Sequence, residues 1–172
     1  MREAGTILET ERLVLREFRA ADADALASVL SDPEAMRYYP EPFDRAGVEE
    51  WIERNQSRYS ANGFGLWAMV LKSSGEMIGD CGLVLQDVEG EKLVEIGYHV
   101  RRNLWGKGLG TEAACACRDF GFKNLDVVRL ISLIRAENCA SRRVAEKTGL
   151  TMWKEIVWHW MPHLVYSISR EP

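Results

Sequence analysis

The chain has 172 residues, 47% of them hydrophobic and 28% charged, with a formal net charge of −4. This is an ordinary globular mix for one domain over residues 1–172, long enough to bury a real core. The acidic balance argues against a nucleic-acid binder, whose footprint is basic, and no apolar run approaches the roughly 18 residues of a membrane span.

Residues 10–18, TERLVLREF, alternate apolar and polar and predict a strand. AADADALASVLSD reads as a helix with Leu26 and Leu30 on one face. DPEAMRYYPEPF holds three of the five prolines and predicts a turn-rich connection. A second helix follows over Arg45–Asn62, with Val48, Trp51, Ile52 and Tyr59 as its apolar stripe. FGLWAMVLK, MIGDCGLVLQ and KLVEIGYHV then predict three consecutive antiparallel strands, joined by the turns SSGE and DVEGE. A glycine-rich loop leads into a helix over residues 111–122. VRLISLIRA is an apolar strand, and NCASRRVAEKTG is a helix closed by Gly149. MWKEIVWHW and LVYSISR form a final strand pair. The order β-α-α-β-β-β-α-β-α-β-β predicts an α+β fold, a mixed and mostly antiparallel sheet flanked by helices.

Charges throughout MREAGTILETERLVLREF leave no apolar core for a secretory signal, so a cytoplasmic protein is expected. Cys81, Cys115, Cys117 and Cys139 show no metal-ligand spacing and read as reduced thiols. His159 and His163 are four apart, but Pro162 and a β-rich context exclude a zinc-binding helix face. No metal is expected.

The most informative stretch is RRNLWGKGLGTEA, beginning at Arg101. Gly106, Gly108 and Gly110 lie between a strand and a helix N-terminus, where successive N–H groups lack helical partners and the helix dipole is positive. Such a loop is an anion cradle, and Arg101, Arg102 and Lys107 add positive charge, or simply face solvent. The Walker string Gly-x-x-x-x-Gly-Lys-Ser/Thr is absent. The Gly-x-Gly-x-Gly spacing after an antiparallel meander fits a dinucleotide fold poorly.

In LETERLVLREF, EIGYHVRRNLWGKGLGTEA and LISLIRAENCASRRVAEKTGL, in that order, the chain resembles the GNAT superfamily of N-acetyltransferases. Within it the chain is most similar to the RimJ/RimL-type branch, which acetylates ribosomal-protein N-termini. One departure is Asn103, where the superfamily loop often has Gln or Arg. The resemblance implies acetyl-CoA as co-substrate and direct transfer to a primary amine in a ternary complex. The acceptor is a protein N-terminus or a small-molecule amine, and neither nucleic acid nor membrane is a partner. A monomer or homodimer is expected. The alternative is a catalytically weak GNAT-like module that binds CoA as a sensor or scaffold.

The resemblance also implies site residues. Main-chain groups from Leu104 through Gly106, Lys107, Gly108, Leu109, Gly110 and Thr111 would wrap the pyrophosphate, with Arg101 nearby, while Arg142, Arg143 and Lys147 would lie near the adenosine end, meeting its 3′-phosphate or facing water. The main chain of Tyr98, His99 and Val100 would face the pantetheine arm and stabilise the thioester oxygen, and Gly97 suits a bulge or close approach there. Asn138 reads as an N-cap and also as a contact to the CoA arm. The helix after it contains no tyrosine, so Ser141 is the candidate acid for the departing thiolate, against a plain exposed serine. Glu95 is the candidate base for the amine, against a structural strand carboxylate, and His99 is a second candidate. Tyr166 is the next suspect for the acid.

Overall fold

The computed structural model describes residues 5–171, so residues 1–4 and 172 of the expected domain lie outside the described residues. Its elements are β1 (Thr6–Glu9), β2 (Leu13–Arg16), α1 (Ala23–Leu30), α2 (Arg45–Asn62), β3 (Leu66–Leu71), β4 (Met77–Val88), β5 (Glu91–Val100), α3 (Leu109–Asn124), β6 (Arg129–Ile134), α4 (Cys139–Lys147), β7 (Thr151–Trp158) and β8 (Met161–Ser169). The strands form one sheet in the order β1-β2-β3-β4-β5-β6-β8-β7. Every neighbouring pair is antiparallel except β5 and β6.

Three expectations need correction. The first strand is really a hairpin. The Thr10 N–H and hydroxyl both turn back onto the Leu13 carbonyl, and β1 pairs with β2. The last strand pair breaks at His159 and Trp160, both with positive φ, so the residues read as the end of β7 are its turn. At Gly97 there is no bulge, because β4 and β5 pair without a shift from Gly79↔Val100 to Val88↔Glu91.

Each sheet face has its own core. Against α3 and α4 pack Leu13, Met69, Cys81, Leu83, Val94 and Ile96, with Ala113, Cys117 and Ala145 from the helices. The Cys81 and Cys117 sulfurs lie 3.6 Å apart in this layer, and burial pushes the Cys81 thiol up. Against α1 and α2 pack Ala68, Met77 and Val84, with Leu26, Val48 and Ile52 from the helices. Alternation therefore sends Val94, Ile96 and Tyr98 toward α3, and Leu93, Glu95, Gly97 and His99 to the opposite face.

The aromatic members of the α2 stripe carry a polar end into the sheet. The Trp51 indole N–H donates to Asp80 Oδ2 at 2.9 Å, and the Tyr59 hydroxyl donates to the Leu66 carbonyl. Between them the wholly buried Asn55 accepts from the Leu66 N–H at 2.9 Å. These bonds fix the rotation of α2 more tightly than its apolar stripe alone does. No described helix is long and apolar enough to cross a membrane.

Candidate active site

β5 and β6 pair at only two positions, Val94↔Leu130 and Glu95↔Ile131, and then diverge. Two side chains bridge the apex of this split. The buried Ser132 hydroxyl donates to the Ile96 carbonyl at 2.8 Å, and Glu95 Oε1 accepts from the Leu133 N–H at 3.3 Å. Glu95 Oε2 accepts from Gln86 Nε2 at 2.7 Å. Burial raises the Glu95 pKa, against the lowering effect of these two hydrogen bonds and of the nearby His99 and Arg58 charges.

Beyond the apex, the main chain of β5 splits its loyalties. Ile96 and Val100 turn their carbonyls away from β4, onto the Ser132 hydroxyl and the Trp105 indole N–H (2.7 Å). The His99 carbonyl instead faces β4, only 2.0 Å from where a Cβ at Gly79 would stand, and the Arg101 N–H bonds the Ile78 carbonyl. Even-numbered residues Tyr98 and Val100 thus present their main chain to the split. The His99 main chain faces β4 rather than, as expected, the split, and its side chain remains the second candidate base. Gly97 serves the other face as well, since a Cβ there would press on the Leu66 side chain at 3.1 Å.

At the wide end of the split sits the glycine loop. Gly106 and Gly108 both have φ of +76°, a left-handed conformation that L side chains rarely adopt. The N–H groups of Leu104 and Trp105 close a short turn onto Arg101 and Arg102, so the expected cradle is narrower at its start. From Gly106 through Thr111 the N–H groups meet no acceptor among the described residues. That run of donors at the head of α3 fits a phosphate ester. Gly110 lies within α3, where a Cβ would touch Val100 at 3.5 Å and Val144 at 3.9 Å, so its smallness leaves room between β5 and α4.

The cations are used unevenly. Arg101 donates to Asn103 at 2.9 Å and approaches Glu76, and Arg102 pairs with Asp32 at 3.1 Å. Lys107 and Arg143 are exposed, with no acidic partner among the described residues. A residue that the sequence reading passed over, Arg12, holds the loop in shape. It donates to the Lys107 carbonyl at 2.9 Å and to Glu112 Oε2 at 2.7 Å, while its own N–H bonds Glu112 Oε1. Burial works to raise the Glu112 pKa, but hydrogen bonds from Thr10 and Arg12 and the Arg12 charge hold it below the usual range.

α4 closes the same side. Asn138 is its N-cap, accepting from the Ser141 N–H at 3.1 Å. The Tyr98 hydroxyl donates to the Ser141 carbonyl at 2.6 Å. With its peptide groups clamped from both directions, Ser141 sits beside β5, half-buried, its hydroxyl free of protein partners among the described residues. Arg142 is drawn to the Tyr166 hydroxyl at 3.0 Å and to the Ala136 carbonyl. Tyr166 is 2% exposed and engaged with Arg142 and Glu146.

On the opposite face, the segment between α1 and α2 straddles the split. The Tyr38 hydroxyl donates to the Glu137 carbonyl at 3.0 Å, and the next residue, Tyr39, contacts His99 Nε2 at 2.6 Å. His99 Nδ1 lies 2.7 Å from Asp80 Oδ1. Asp80 is 0% exposed, within the buried first eight residues of β4. A buried acid there requires partners, and that was the available signal for this cluster. Its partners lie on other elements, so the sequence does not identify them.

The family model described as "Acetyltransferase (GNAT) domain" matches residues 12–151. The chain is 39% identical over 165 residues to the uncharacterized protein YkkB of Bacillus subtilis (strain 168), covering 95% of this chain and 96% of that one. It is 35% identical to the uncharacterized N-acetyltransferase p20 of Bacillus licheniformis, over 78% of this chain and 76% of p20. A crystal structure of an acetyltransferase from Agrobacterium tumefaciens str. C58 superposes with a TM-score of 0.83 at 28% identity, over 99% of this chain and 97% of that one.

Proposed function

Since the chain belongs to the GNAT acetyltransferase family, we propose that it carries an acetyl group from acetyl-CoA to a primary amine by direct transfer. The observation that carries this reading is the run of unpaired N–H donors from Gly106 through Thr111, at the head of α3 and beside the β5–β6 split. Bound acetyl-CoA supplies an activated thioester carbonyl. The loop binds its pyrophosphate, Lys107 and Arg143 add charge, and Asn138 Nδ2 and the main chain of Tyr98 and Val100 line its arm. The Ser141 hydroxyl delivers a proton to the leaving sulfur. Glu95 and His99 are the groups available to draw in the ammonium form of the acceptor and receive its proton.

The sequence motifs favour the RimJ/RimL-type branch, so a protein N-terminus is part of the proposal, in a cytoplasmic monomer or homodimer. Calorimetric titration tests the donor: acetyl-CoA binds, and ATP and NAD do not. Binding of ATP or NAD in place of acetyl-CoA overturns the reading. Transfer is then assayed to N-terminal peptides, polyamines, amino acids and aminoglycosides. Binding without transfer to any of them points to a CoA-binding scaffold instead.

A further inference from the structure

We infer that Tyr39, His99 and Asp80 form a proton relay that takes the acceptor amine's proton. The inference rests on the acyl-transfer reading above and adds residues from the α1–α2 segment and β4 to it.

The hydrogen bonds fix the direction. The Trp51 indole N–H donates to Asp80 Oδ2 at 2.9 Å, and His99 Nδ1 lies 2.7 Å from Asp80 Oδ1. The relay assigns the His99 hydrogen to Nδ1, where Asp80 Oδ1 is the acceptor within reach. Nε2 is then a bare acceptor, and the Tyr39 hydroxyl, 2.6 Å away, donates to it. Tyr39 Oη keeps a lone pair for an incoming N–H. Tyr39 is 39% exposed as a residue and the His99 side chain 13%, so Tyr39 is the outer member of the relay. Tyr38 reaches the far side of the split at Glu137, which places the entry point over the gap.

The groups around the imidazole make it a proton sink. Burial disfavours the charged ring, but the charge and hydrogen bond of Asp80, with Glu95 adding, hold the His99 pKa above its ordinary value. From α2, Arg58 faces Glu95 and Asp80, and Tyr59 faces Asp80. Burial and the Glu95 and Asp80 charges push the Tyr39 pKa up, so it passes a proton on without becoming an anion. Glu95 has both oxygens committed to Gln86 and Leu133, and its part here is its field.

The step balances as follows. An N–H bond of the ammonium breaks to Tyr39 Oη as the Tyr39 O–H bond breaks to His99 Nε2, leaving imidazolium and a neutral tyrosine. The freed nitrogen pair attacks the thioester carbonyl carbon, and the C–S bond breaks with its electrons on sulfur. The second amine proton reaches sulfur through the Ser141 hydroxyl, and imidazolium returns its proton to water.

Two measurements test the relay. Nitrogen NMR of the three histidines, with His99→Gln as assignment control, shows Nδ1–H at His99 in the wild type and a switch to Nε2–H in Asp80→Asn. Rates are measured across pH with whichever of spermidine, glycinamide and a free N-terminal peptide the wild type acetylates. Tyr39→Phe and His99→Gln each lower kcat/KM for the amine by about 100-fold at neutral pH. The deficit shrinks as pH approaches the amine's own pKa, acetyl-CoA affinity stays within about threefold, and the double variant is no worse than either single one. If the wild type transfers but Tyr39→Phe and His99→Gln keep its pH profile, or if His99 is Nε2–H in the wild type, the relay falls and the acetyltransferase reading stands. If the wild type acetylates none of the amines, both fall.

Discussion

The two sides of the β5–β6 split are made of different material. The side proposed for acetyl-CoA is main chain, contiguous in sequence, shaped by left-handed glycines at positions 106 and 108 and capped by α3. The acceptor side is side chains from four separate places: Tyr39 before α2, Trp51 on α2, Asp80 on β4 and His99 on β5. A backbone cradle depends little on side-chain identity, whereas a side-chain cluster can change without disturbing it. Substitutions should therefore act differently on the two sides.

The sharpest contrast is expected at Gly108. Gly108→Val forces a β-branched side chain into φ +76°, at a cost of about 1–2 kcal/mol in backbone strain, with its Cβ near Arg12. Because the distortion falls on the donor array, acetyl-CoA affinity should drop about 100-fold, equivalent to about 2.7 kcal/mol. The measurements are calorimetry and a circular-dichroism melt showing a folded protein. Wild-type affinity would reduce the loop to a plain turn. Next comes Ser141→Ala, expected to lower kcat about tenfold with acetyl-CoA affinity held within a few-fold, because thiolate is already a good leaving group. Unchanged turnover at saturation would move the acid elsewhere, with Tyr166 the next suspect.

Arg12→Ala tests whether a side chain matters on the main-chain side. It should weaken acetyl-CoA binding a few-fold and cost about 1 kcal/mol of stability, since the pair is partly exposed. The Glu112 pKa is depressed in the fold, so this stabilisation is full above its ordinary value of 4.5 and is lost as pH falls through the lower folded value. The melting difference between variant and wild type should accordingly be widest near neutrality and vanish in acid.

The smallest effect is expected at Glu95, whose folded pKa is raised. An ionised Glu95 costs stability as pH rises through that value, so Glu95→Gln should melt slightly higher than wild type at pH 7 and equally at low pH. Its rate should also depend more steeply on high pH, because His99 without the Glu95 charge beside it is a weaker base. A pH–rate profile that overlays wild type would make Glu95 only a brace at the apex.

The same division explains what the sequence disclosed. The helix Arg45–Asn62, bounded by Asp44 and Gly63, and the meander over β3–β5 were legible almost to the residue. The glycine loop was legible because its chemistry is local. β1 was not, being four half-exposed residues whose turn is made by Thr10 in a pattern that continues to alternate. Nor was the turn at His159–Trp160, which carries neither glycine nor asparagine. Trp51 and Tyr59 read as plain stripe residues, although their polar tips reach Asp80 and Leu66. Such pairings depend on how helices lie across a sheet, which periodicity does not encode.

The ion pair between Arg12 and Glu112 joins residues a hundred positions apart. It ties the opening hairpin to the glycine loop, so their local openings become one equilibrium. Acetyl-CoA bound at the loop should slow amide exchange in β1 and β2, strands it does not touch. By reciprocity, a fusion or truncation that loosens the first strands is paid back as weaker donor binding at the far end of the sheet.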